Sequence, residues 1–484
     1  MIEAFHITDL ASKVQSGALS ATEVARDVIA RIDRHNGRLN ALLHADPVRI
    51  LAQAKAIDDK RARGEVLGTL AGVPVAIKDA ICTKGESTTS GSKILSGYEP
   101  PYDATVISRL RAADALLTGK ANMDEFAMGS STENSAYGAT KNPWDNTRTP
   151  GGSSGGSAVA VASRIALGAL GSDTGGSIRQ PASLTGTVGV KPTYGRVSRY
   201  GLIAFASSLD QIGPFATDIR GSARLLEVIA GHDAHDATSL NVPIGGYESA
   251  CDAAIKGLRI GIPEEYFADG LSDDVGRSVR ATLARLEREG CVLRPIKLPH
   301  TRFAVATYYV IATAEASSNL ARFDGVRYGL RKAAQSLGEM YGATRDAGFG
   351  REVKRRILLG TFVLSAGYYE AYYLRAQKMR TLIRRDFDAA FKDVDVIASP
   401  TAPTTAFKLG EKANDPLSMY LSDIYTLPAS LAGVPALSVP CAIGQDGLPI
   451  GLQIIAPALQ ESRLFTIASA VESACAPAFP AEVQ

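Results

Sequence analysis

Apolar positions along this chain recur at two different spacings. Ser20 and Glu23 fit a capping box, and apolar residues then recur at every fourth position, which predicts an amphipathic helix. Residues 73–77 alternate instead, with branched apolar side chains at the odd positions, which is the period of a β-strand. That strand ends at Lys78, whose side chain is expected on the opposite face.

Strand-like and helical segments alternate along most of the chain, which predicts an α/β sheet. They include a helix from an Asp103 N-cap to Ala112, strands at 115–118 and 167–170, two strands within 434–455 around an Asp446-Gly447 turn, and a closing helix at 462–475. The stretch from about 271 to 385 is helix-rich and carries most of the local basic clusters, so we expect it to form a cap.

Size and composition bound the class of protein. The length of 484 residues leaves one to three domains open. Hydrophobic residues at 45% and charged residues at 21% are typical of a folded protein, and the net charge of +2 gives no reason to expect nucleic-acid or membrane binding. No apolar run reaches the ~18 residues of a membrane helix. Five scattered cysteines without zinc spacing indicate reduced thiols in a cytosolic protein.

Two glycine-rich loops that contain serine, at 151–157 and 173–179, carry the strongest chemical signal. Glycine lets backbone N–H groups turn toward a ligand, so a serine there can lie beside an anion cradle. Gly-x-Ser-x-Gly fits around both Ser153 and Ser154, but an α/β-hydrolase would also need a downstream histidine. The candidates are His232, His235 and His300. The first two lie in a segment typical of an exposed loop, which does not favour a catalytic role for them.

A serine nucleophile without a histidine needs another base, and lysine is the available one. An amine accepts a proton only when it is neutral, so burial has to lower the lysine pKa from ~10.4 toward the working pH. The strand end at Lys78 is such a place. On the other reading, Lys78 is a surface lysine, and Ser153 and Ser177 are ordinary turn residues.

Three segments together resemble the amidase signature enzymes: residues 72–79, 151–157 and 173–181. Ser153 and Ser177 are also separated by the 24 residues typical of that family. The resemblance implies an α/β fold with a large mixed central β-sheet covered by helices on both faces. It further implies that Ser177 is the nucleophile, that Ser153 is a bridging serine with a cis peptide bond, and that Lys78 is the general base.

The same resemblance implies an oxyanion hole built from backbone N–H groups of the second loop, at Thr174, Gly175 and Gly176. Loss of one such donor typically costs ~3 kcal/mol of transition-state stabilisation. Two positions depart from the family pattern. Ala80 stands where asparagine is common, and Asp114 stands where glycine is usual, which puts local turn geometry in question.

Within that family, further segments are similar to the A subunits of glutamyl-tRNA(Gln) amidotransferases: residues 119–130, 315–325, and 352–356 with 360–361. The similarity runs from near the N-terminus to about residue 457, which implies a single amidase domain over residues 1–484 with the 271–385 cap inserted in it. It implies a glutaminase that hydrolyses glutamine and supplies ammonia for the conversion of Glu-tRNA(Gln) to Gln-tRNA(Gln).

The implied assembly is a cytoplasmic heterotrimer with B and C subunits, which together form a carbon-nitrogen ligase. ATP, Mg²⁺ and most contacts with the tRNA are expected in the partner subunit. No cofactor, metal or membrane contact is expected for this chain.

Glutamine carries an α-carboxylate and an α-ammonium, so its pocket requires one cation and one anion beyond the scissile amide. Arg356 is the candidate cation, because helical spacing puts it on an apolar stripe, although an inward arginine can also serve in a structural ion pair. Asp423 matches the acidic position that binds the substrate ammonium in the family. The implied pocket is completed by Gly129, Ser130 and either Tyr308 or Tyr309.

Two alternatives stay open. A free-standing amidase acting on small aliphatic or aryl amides would share the three catalytic residues but would not need a charged pocket, so Arg356 discriminates between the two. A catalytically silent scaffold that only orders a complex would need none of these residues.

Overall fold

Eleven strands form one mixed sheet in the part of the chain that the structure, a computed structural model, describes: residues 1–268, 270–475 and 480. In chain order the strands are β1 (Leu42–His44), β2 (Pro74–Lys78), β3 (Leu116–Ala121), β4 (Gly168–Asp173), β5 (Val188–Lys191), β6 (Gln211–Ala216), β7 (Arg259–Pro263), β8 (Val292–Ile296), β9 (Val396–Pro400), β10 (Ala436–Ile443) and β11 (Pro449–Ile455). Their order across the sheet is β1-β3-β2-β4-β6-β5-β10-β11-β9-β7-β8. Neighbours are parallel within β3-β2-β4 and within β9-β7-β8, and the other neighbours are antiparallel.

Sixteen α-helices accompany the sheet within the described residues. They are α1 (Ile7–Ser16), α2 (Ala21–Leu39), α3 (Pro47–Ala62), α4 (Thr105–Ala112), α5 (Gly155–Ala162), α6 (Arg179–Thr185), α7 (Ile219–Ile229), α8 (Tyr247–Ala250), α9 (Asp273–Arg288), α10 (Ala304–Asn319), α11 (Leu337–Gly348), α12 (Arg351–Leu364), α13 (Arg375–Asp393), α14 (Pro416–Leu421), α15 (Leu427–Ala432) and α16 (Glu461–Ala474). A π-helix, Tyr369–Leu374, joins α12 to α13.

Alternate residues of the central strands belong to different hydrophobic cores. In β9, Val396 and Ala398 pack in a core that includes residues of α7, α9 and α16, whereas Ile397 packs in a second core with α10, α13 and α15. In β2, Ala76 belongs to a third cluster with residues of α5. Successive side chains of a strand point to opposite faces, so helices cover both faces of the sheet. The predicted α/β fold with a large mixed central sheet is confirmed.

Most of the predicted elements are confirmed. α2 begins after Ser20, whose hydroxyl accepts the Glu23 N–H while the Glu23 carboxylate accepts the Ser20 N–H, so the capping box is complete. β2 ends at Lys78. The predicted C-terminal hairpin is the antiparallel pair β10 and β11, and the predicted closing helix is α16. Each of these elements has a strong local signal.

The predicted cap of α4 is wrong. The N-cap is Ala104, and Asp103 lies one residue earlier. Its carboxylate accepts the Lys84 N–H at 2.7 Å and pairs with Arg111 at 3.1 Å. These partners occupy the oxygens that a capping aspartate would offer to the first turn.

Asp114, one of the two departures from the family pattern, has a φ of +58°. This left-handed region favours glycine, although aspartate adopts it more readily than most residues do. The Asp114 carboxylate accepts the Gly68 N–H at 2.5 Å and pairs with Lys60 at 2.7 Å. These contacts hold a turn that glycine would adopt without them.

The predicted cap range, 271–385, contains α9 to α12 and part of α13, together with the edge strand β8. α10 packs against both α12 and α13, and apolar side chains of all three helices join the second core. The assignment of residues 271–385 as a cap inserted in a single domain over residues 1–484 stays a prediction.

Candidate active site

The fold brings the three predicted catalytic residues to the carboxyl ends of two neighbouring strands of the sheet. β2 and β4 are parallel neighbours, so their carboxyl ends lie side by side. Lys78 is the last residue of β2, and Ser177 lies in the loop between β4 and α6. Ser153 lies in the loop before α5, which packs against both strands.

Lys78 is fully buried, and its Nζ contacts three oxygens. It donates to Ser153 Oγ at 2.7 Å, to Ser154 Oγ at 2.8 Å and to the Ser172 carbonyl at 3.3 Å. Burial lowers the pKa of Lys78 to about 7, although nearby carboxylates favour its charged form. The alternative of a surface lysine is therefore wrong. An amine with this pKa is partly neutral near pH 7, when it can accept the Ser153 proton.

The two serine loops are tied together through their backbones. The Gly152–Ser153 peptide bond is cis, as the resemblance implied. The Ser154 N–H donates to the Ser177 carbonyl at 3.1 Å. Ser177 itself is 7% exposed. No hydrogen bond joins the hydroxyls of Ser153 and Ser177 in the part described. The structure therefore shows the contact of Lys78 with Ser153, and it shows that the loop with Ser177 lies next to the loop with Ser153.

The second loop presents unpaired backbone donors. Gly176 has a φ of +146°, and a side chain there would collide with Thr426. Among the described residues, the backbone N–H groups of residues 174–177 donate to no other group. The Thr174 hydroxyl is held at 2.7 Å by a buried carboxylate, which fixes the start of the loop. Fixed donors of this kind can stabilise an oxyanion without reorganising.

Asp423 follows α14 and lies against this loop, because a Cβ on Gly176 would come within 3.2 Å of its Oδ1. The Ser130 hydroxyl donates to Oδ2. Oδ1 is buried and accepts no hydrogen bond from any described residue. Burial raises the pKa of Asp423 to about 7. A carboxylate with one buried, unpartnered oxygen can bind an incoming cation.

Arg356 lies buried on α12, and its Nε donates to Glu352 Oε1 at 2.8 Å, so the structural ion pair of the alternative reading is present. The guanidinium also lies 5.1 Å from the ring centroid of Tyr309 and 5.5 Å from that of Tyr420. Its two terminal nitrogens donate to no described residue. Arg356 and Gly129 line the same cavity of about 280 Å³. The arginine therefore keeps donors for an anion in that cavity.

The two candidate tyrosines face different parts of the site. Tyr308 packs against the second serine loop, since a Cβ on Gly175 would be 2.8 Å from its Cζ. Tyr309 stacks on Tyr420, with the ring centroids 3.9 Å apart, on the side of the arginine. Both tyrosines thus adjoin the site.

Sequence reasoning missed three groups that hold this site together. Ser154 shares the Lys78 amine with its neighbour, and the serine doublet was the signal that could have found it. Asp173 and Arg179 form a fully buried ion pair at 2.9 Å across the second loop, and both lie within the matched motif. Asp124 accepts two backbone N–H groups beside the first loop, and burial raises its pKa to about 6. Asp124 lies within the matched segment 119–130, which was the signal that could have found it.

The histidines of the hydrolase hypothesis have other contacts. His232 and His235 are exposed, and Nδ1 of His300 lies 2.8 Å from the Asp386 carboxylate. In the described residues none of the three hydrogen-bonds to Ser153 or Ser177. The titratable side chain that hydrogen-bonds to Ser153 is Lys78.

Two kinds of feature are absent from the described part of the chain. No three His, Cys, Asp or Glu side chains there are grouped as metal ligands. No helix there has the length and apolar character needed to cross a membrane.

Comparison with known proteins gives consistent matches over nearly the whole chain. The family model described as Amidase matches residues 23–465. The chain is 58% identical over 464 residues to the A subunit of the glutamyl-tRNA(Gln) amidotransferase of Koribacter versatilis (strain Ellin345), covering 96% of this chain and 97% of that relative. The protein of the same name from Myxococcus xanthus (strain DK1622) is 57% identical over 465 residues, with 96% of each chain covered. The crystal structure of the corresponding A subunit from Thermotoga maritima matches with a TM-score of 0.80 at 44% identity, covering 95% of this chain and 94% of that one.

Proposed function

The chain belongs to the amidase family, and from that premise we propose that it is the glutaminase subunit of a tRNA-dependent amidotransferase, with Lys78, Ser153 and Ser177 as its catalytic residues. The observation that carries this proposal is the buried Lys78 amine, 2.7 Å from Ser153 Oγ and with a pKa of about 7. Such an amine is a base near neutral pH without any imidazole.

Proton transfer runs through the two serines. Neutral Lys78 takes the hydroxyl proton of Ser153 while Ser153 takes that of Ser177, and Ser177 Oγ attacks the side-chain carbonyl carbon of glutamine. The charge that develops on the carbonyl oxygen is stabilised by the N–H groups of residues 174–176. When the C–N bond breaks, the proton returns through Ser153 to the leaving nitrogen, and ammonia departs. Water then cleaves the glutamyl ester by the same relay and releases glutamate.

The charged groups beside the serine loops recognise the ends of glutamine. Its α-carboxylate binds to the terminal nitrogens of Arg356, and its α-ammonium binds to Oδ1 of Asp423. These two contacts would exclude amides that lack either charge. The walls of the pocket are Gly129, Ser130, Tyr308 and Tyr309.

The partners follow from the named relatives, which are subunits of an amidotransferase. This chain joins B and C subunits in a heterotrimer and supplies them with ammonia. The partner subunit uses ATP and Mg²⁺ to activate Glu-tRNA(Gln) and holds most of the tRNA, which suits the net charge of only +2 on this chain. The assembly works in the cytoplasm, where charged tRNA is used.

The test measures ammonia release from glutamine and formation of Gln-tRNA(Gln). The chain alone is compared with the co-purified complex, with and without ATP, Mg²⁺ and Glu-tRNA(Gln). We expect Gln-tRNA(Gln) only from the complete mixture.

A matched variant separates the two half-reactions. Ser177→Ala is expected to abolish ammonia release with an unchanged circular dichroism spectrum, while the variant complex still forms Gln-tRNA(Gln) from added ammonium chloride. Glutamine turnover retained by this variant would remove Ser177 as the nucleophile. Failure of the wild-type complex to amidate Glu-tRNA(Gln) would remove the amidotransferase role.

A further inference from the structure

The cavity beside Arg356 contains a second carboxylate that the mechanism above does not use. Glu133 lines this cavity together with Gly129, Arg356 and Lys412. Its Oε1 accepts the Gly410 N–H at 2.6 Å, which fixes the side chain. Its Oε2 is buried and accepts no hydrogen bond from any residue that the structure describes.

Glu133 also has no ion-pair partner among the described residues, although basic side chains line the same cavity. Arg355 and Arg356 pair with Glu352 at 2.5 and 2.8 Å, and Lys412 donates to a serine hydroxyl at 2.8 Å. A desolvated carboxylate oxygen without a donor is unfavourable. A ligand with an N–H donor in this cavity would satisfy that oxygen.

Two other buried acceptors without a donor belong to the segment 130–133 or to a residue hydrogen-bonded to it. One is Oγ of Ser131, a residue that lines the cavity. The other is Oδ1 of Asp423, whose Oδ2 accepts a hydrogen bond from the Ser130 hydroxyl. An ammonium has three N–H donors and no acceptor, so it is the kind of group that satisfies oxygens without a donor.

The basic residues that line the cavity indicate that its ligand also carries a negative charge. Arg356 keeps two unpaired terminal nitrogens, and Lys412 has no carboxylate partner in the described part of the chain. A cavity lined by unpaired donors and by a carboxylate with an unpaired oxygen complements a zwitterion. The head group of an α-amino acid has this chemistry, whereas a neutral amide would leave both charges uncompensated.

We propose that Glu133 is a specificity-determining residue that binds the α-ammonium of the amino-acid substrate together with Asp423 and Ser131. This inference rests on the proposed function and adds a second carboxylate to its substrate site. The substrates it selects are primary amides with a free α-amino-acid head group.

The test compares two substrates in the co-purified complex. One is glutamine, and the other is glutaramate, which is glutamine without its α-amino group. Glutaramate is measured as a substrate or, at low turnover, as a competitive inhibitor. Glu133→Gln keeps an oxygen for the Gly410 N–H and replaces the free oxygen by an N–H donor. We expect KM for glutamine to rise at least about tenfold with kcat changed less than about twofold, and no change for glutaramate.

The matched control is Glu411→Gln. Glu411 is exposed and its carboxylate accepts the Lys408 N–H at 2.9 Å, so this variant removes the same charge nearby without touching the cavity. Both substrates should be unaffected. Should Glu133→Gln fail to fold, Ser131→Ala gives the same test, with a smaller rise of a few-fold in KM for glutamine alone, because it removes a neutral acceptor.

The remaining outcomes overturn the inference. An equal change for both substrates would mean that Glu133 only positions the segment around Gly410, and no change for either would mean that its free oxygen binds no substrate. Either result with a wild-type complex that hydrolyses glutamine leaves the proposed function intact. A wild-type complex that does not hydrolyse glutamine would overturn both.

Discussion

Lowering the pH is expected to reduce kcat/KM for glutamine more steeply than it reduces kcat. Two groups at the site have a pKa of about 7 because burial penalises their charged forms: the Lys78 amine, whose pKa is lowered, and the Asp423 carboxyl, whose pKa is raised. Lys78 has to be neutral to accept the serine proton, and Asp423 has to be charged to bind the ammonium. The free enzyme needs both conditions. Once glutamine is bound, its ammonium keeps Asp423 ionised, and only Lys78 still titrates.

The size of the effect follows from these two pKa values. For each group with a pKa of about 7, the fraction in the active form falls about tenfold between about pH 8 and about pH 6. Since kcat depends on Lys78 alone and kcat/KM depends on both groups, kcat should fall about tenfold and kcat/KM about 100-fold over this range. Initial rates of ammonia release at constant ionic strength measure both, with aliquots returned to the higher pH to exclude irreversible loss.

A variant separates the two contributions. Asp423→Asn has a lower kcat/KM at every pH, and that kcat/KM is expected to fall only about tenfold on acidification, because one titrating group is gone. Wild-type kcat/KM that falls no more steeply than kcat would refute the role of Asp423. A kcat that does not change over the range would refute Lys78 as the base.

Three other substitutions test neighbouring parts of the site. Arg356→Ala is expected to raise KM for glutamine at least about tenfold and to leave turnover of small uncharged amides unchanged, because only the carboxylate contact is lost. Unchanged glutamine kinetics together with efficient cleavage of such amides would favour a free-standing amidase. Asp173→Asn is expected to lower the free energy of unfolding by ~3–5 kcal/mol in denaturant titrations, because the buried Arg179 charge loses its partner, and a loss under ~1 kcal/mol would contradict this. Gly176→Ala is expected to abolish ammonia release, because its Cβ would collide with Thr426 and its φ of +146° disfavours any L side chain; a folded variant with full activity would be the contrary result.

Local signals in the sequence were enough to place the candidate catalytic residues on their elements. The alternation over residues 73–77 predicts a strand whose end carries Lys78, and the glycine-serine loops mark the positions of Ser153 and Ser177. A capping box and a hairpin turn are likewise short-range patterns, and both were confirmed. The cap of α4 was wrong because the choice between competing partners for Asp103 depends on residues up to 19 positions away.

The contacts between the candidate pocket residues could not be predicted in the same way, because they join distant parts of the chain. Ser130 and Asp423 are 293 positions apart, and Glu133 is 277 positions from the Gly410 N–H that it accepts. Helical spacing correctly predicted that Arg356 is buried, but periodicity carries no information about which of its nitrogens stay unpaired. The free oxygens of Glu133 and Asp423 become visible only once the loops are packed.

The burial that lowers the pKa of Lys78 also costs the folded protein stability, and the surrounding charges limit that cost. A pKa of about 7, lowered from the ordinary lysine value of 10.5, corresponds to ~5 kcal/mol of disfavoured charge. Between these two pKa values the unfolded chain holds the proton and the folded chain does not, so the stability rises with pH through that window and the full cost is present below about pH 7. The carboxylates of Asp124, Asp173 and Asp210 raise the pKa again. Without these carboxylates the pKa of Lys78 would be lower, so the amine would be neutral over a wider pH range but would be a weaker base. An exposed lysine, with its ordinary pKa, would stay protonated. The end of a central strand, sealed by two serine loops and flanked by these carboxylates, is where both limits are avoided.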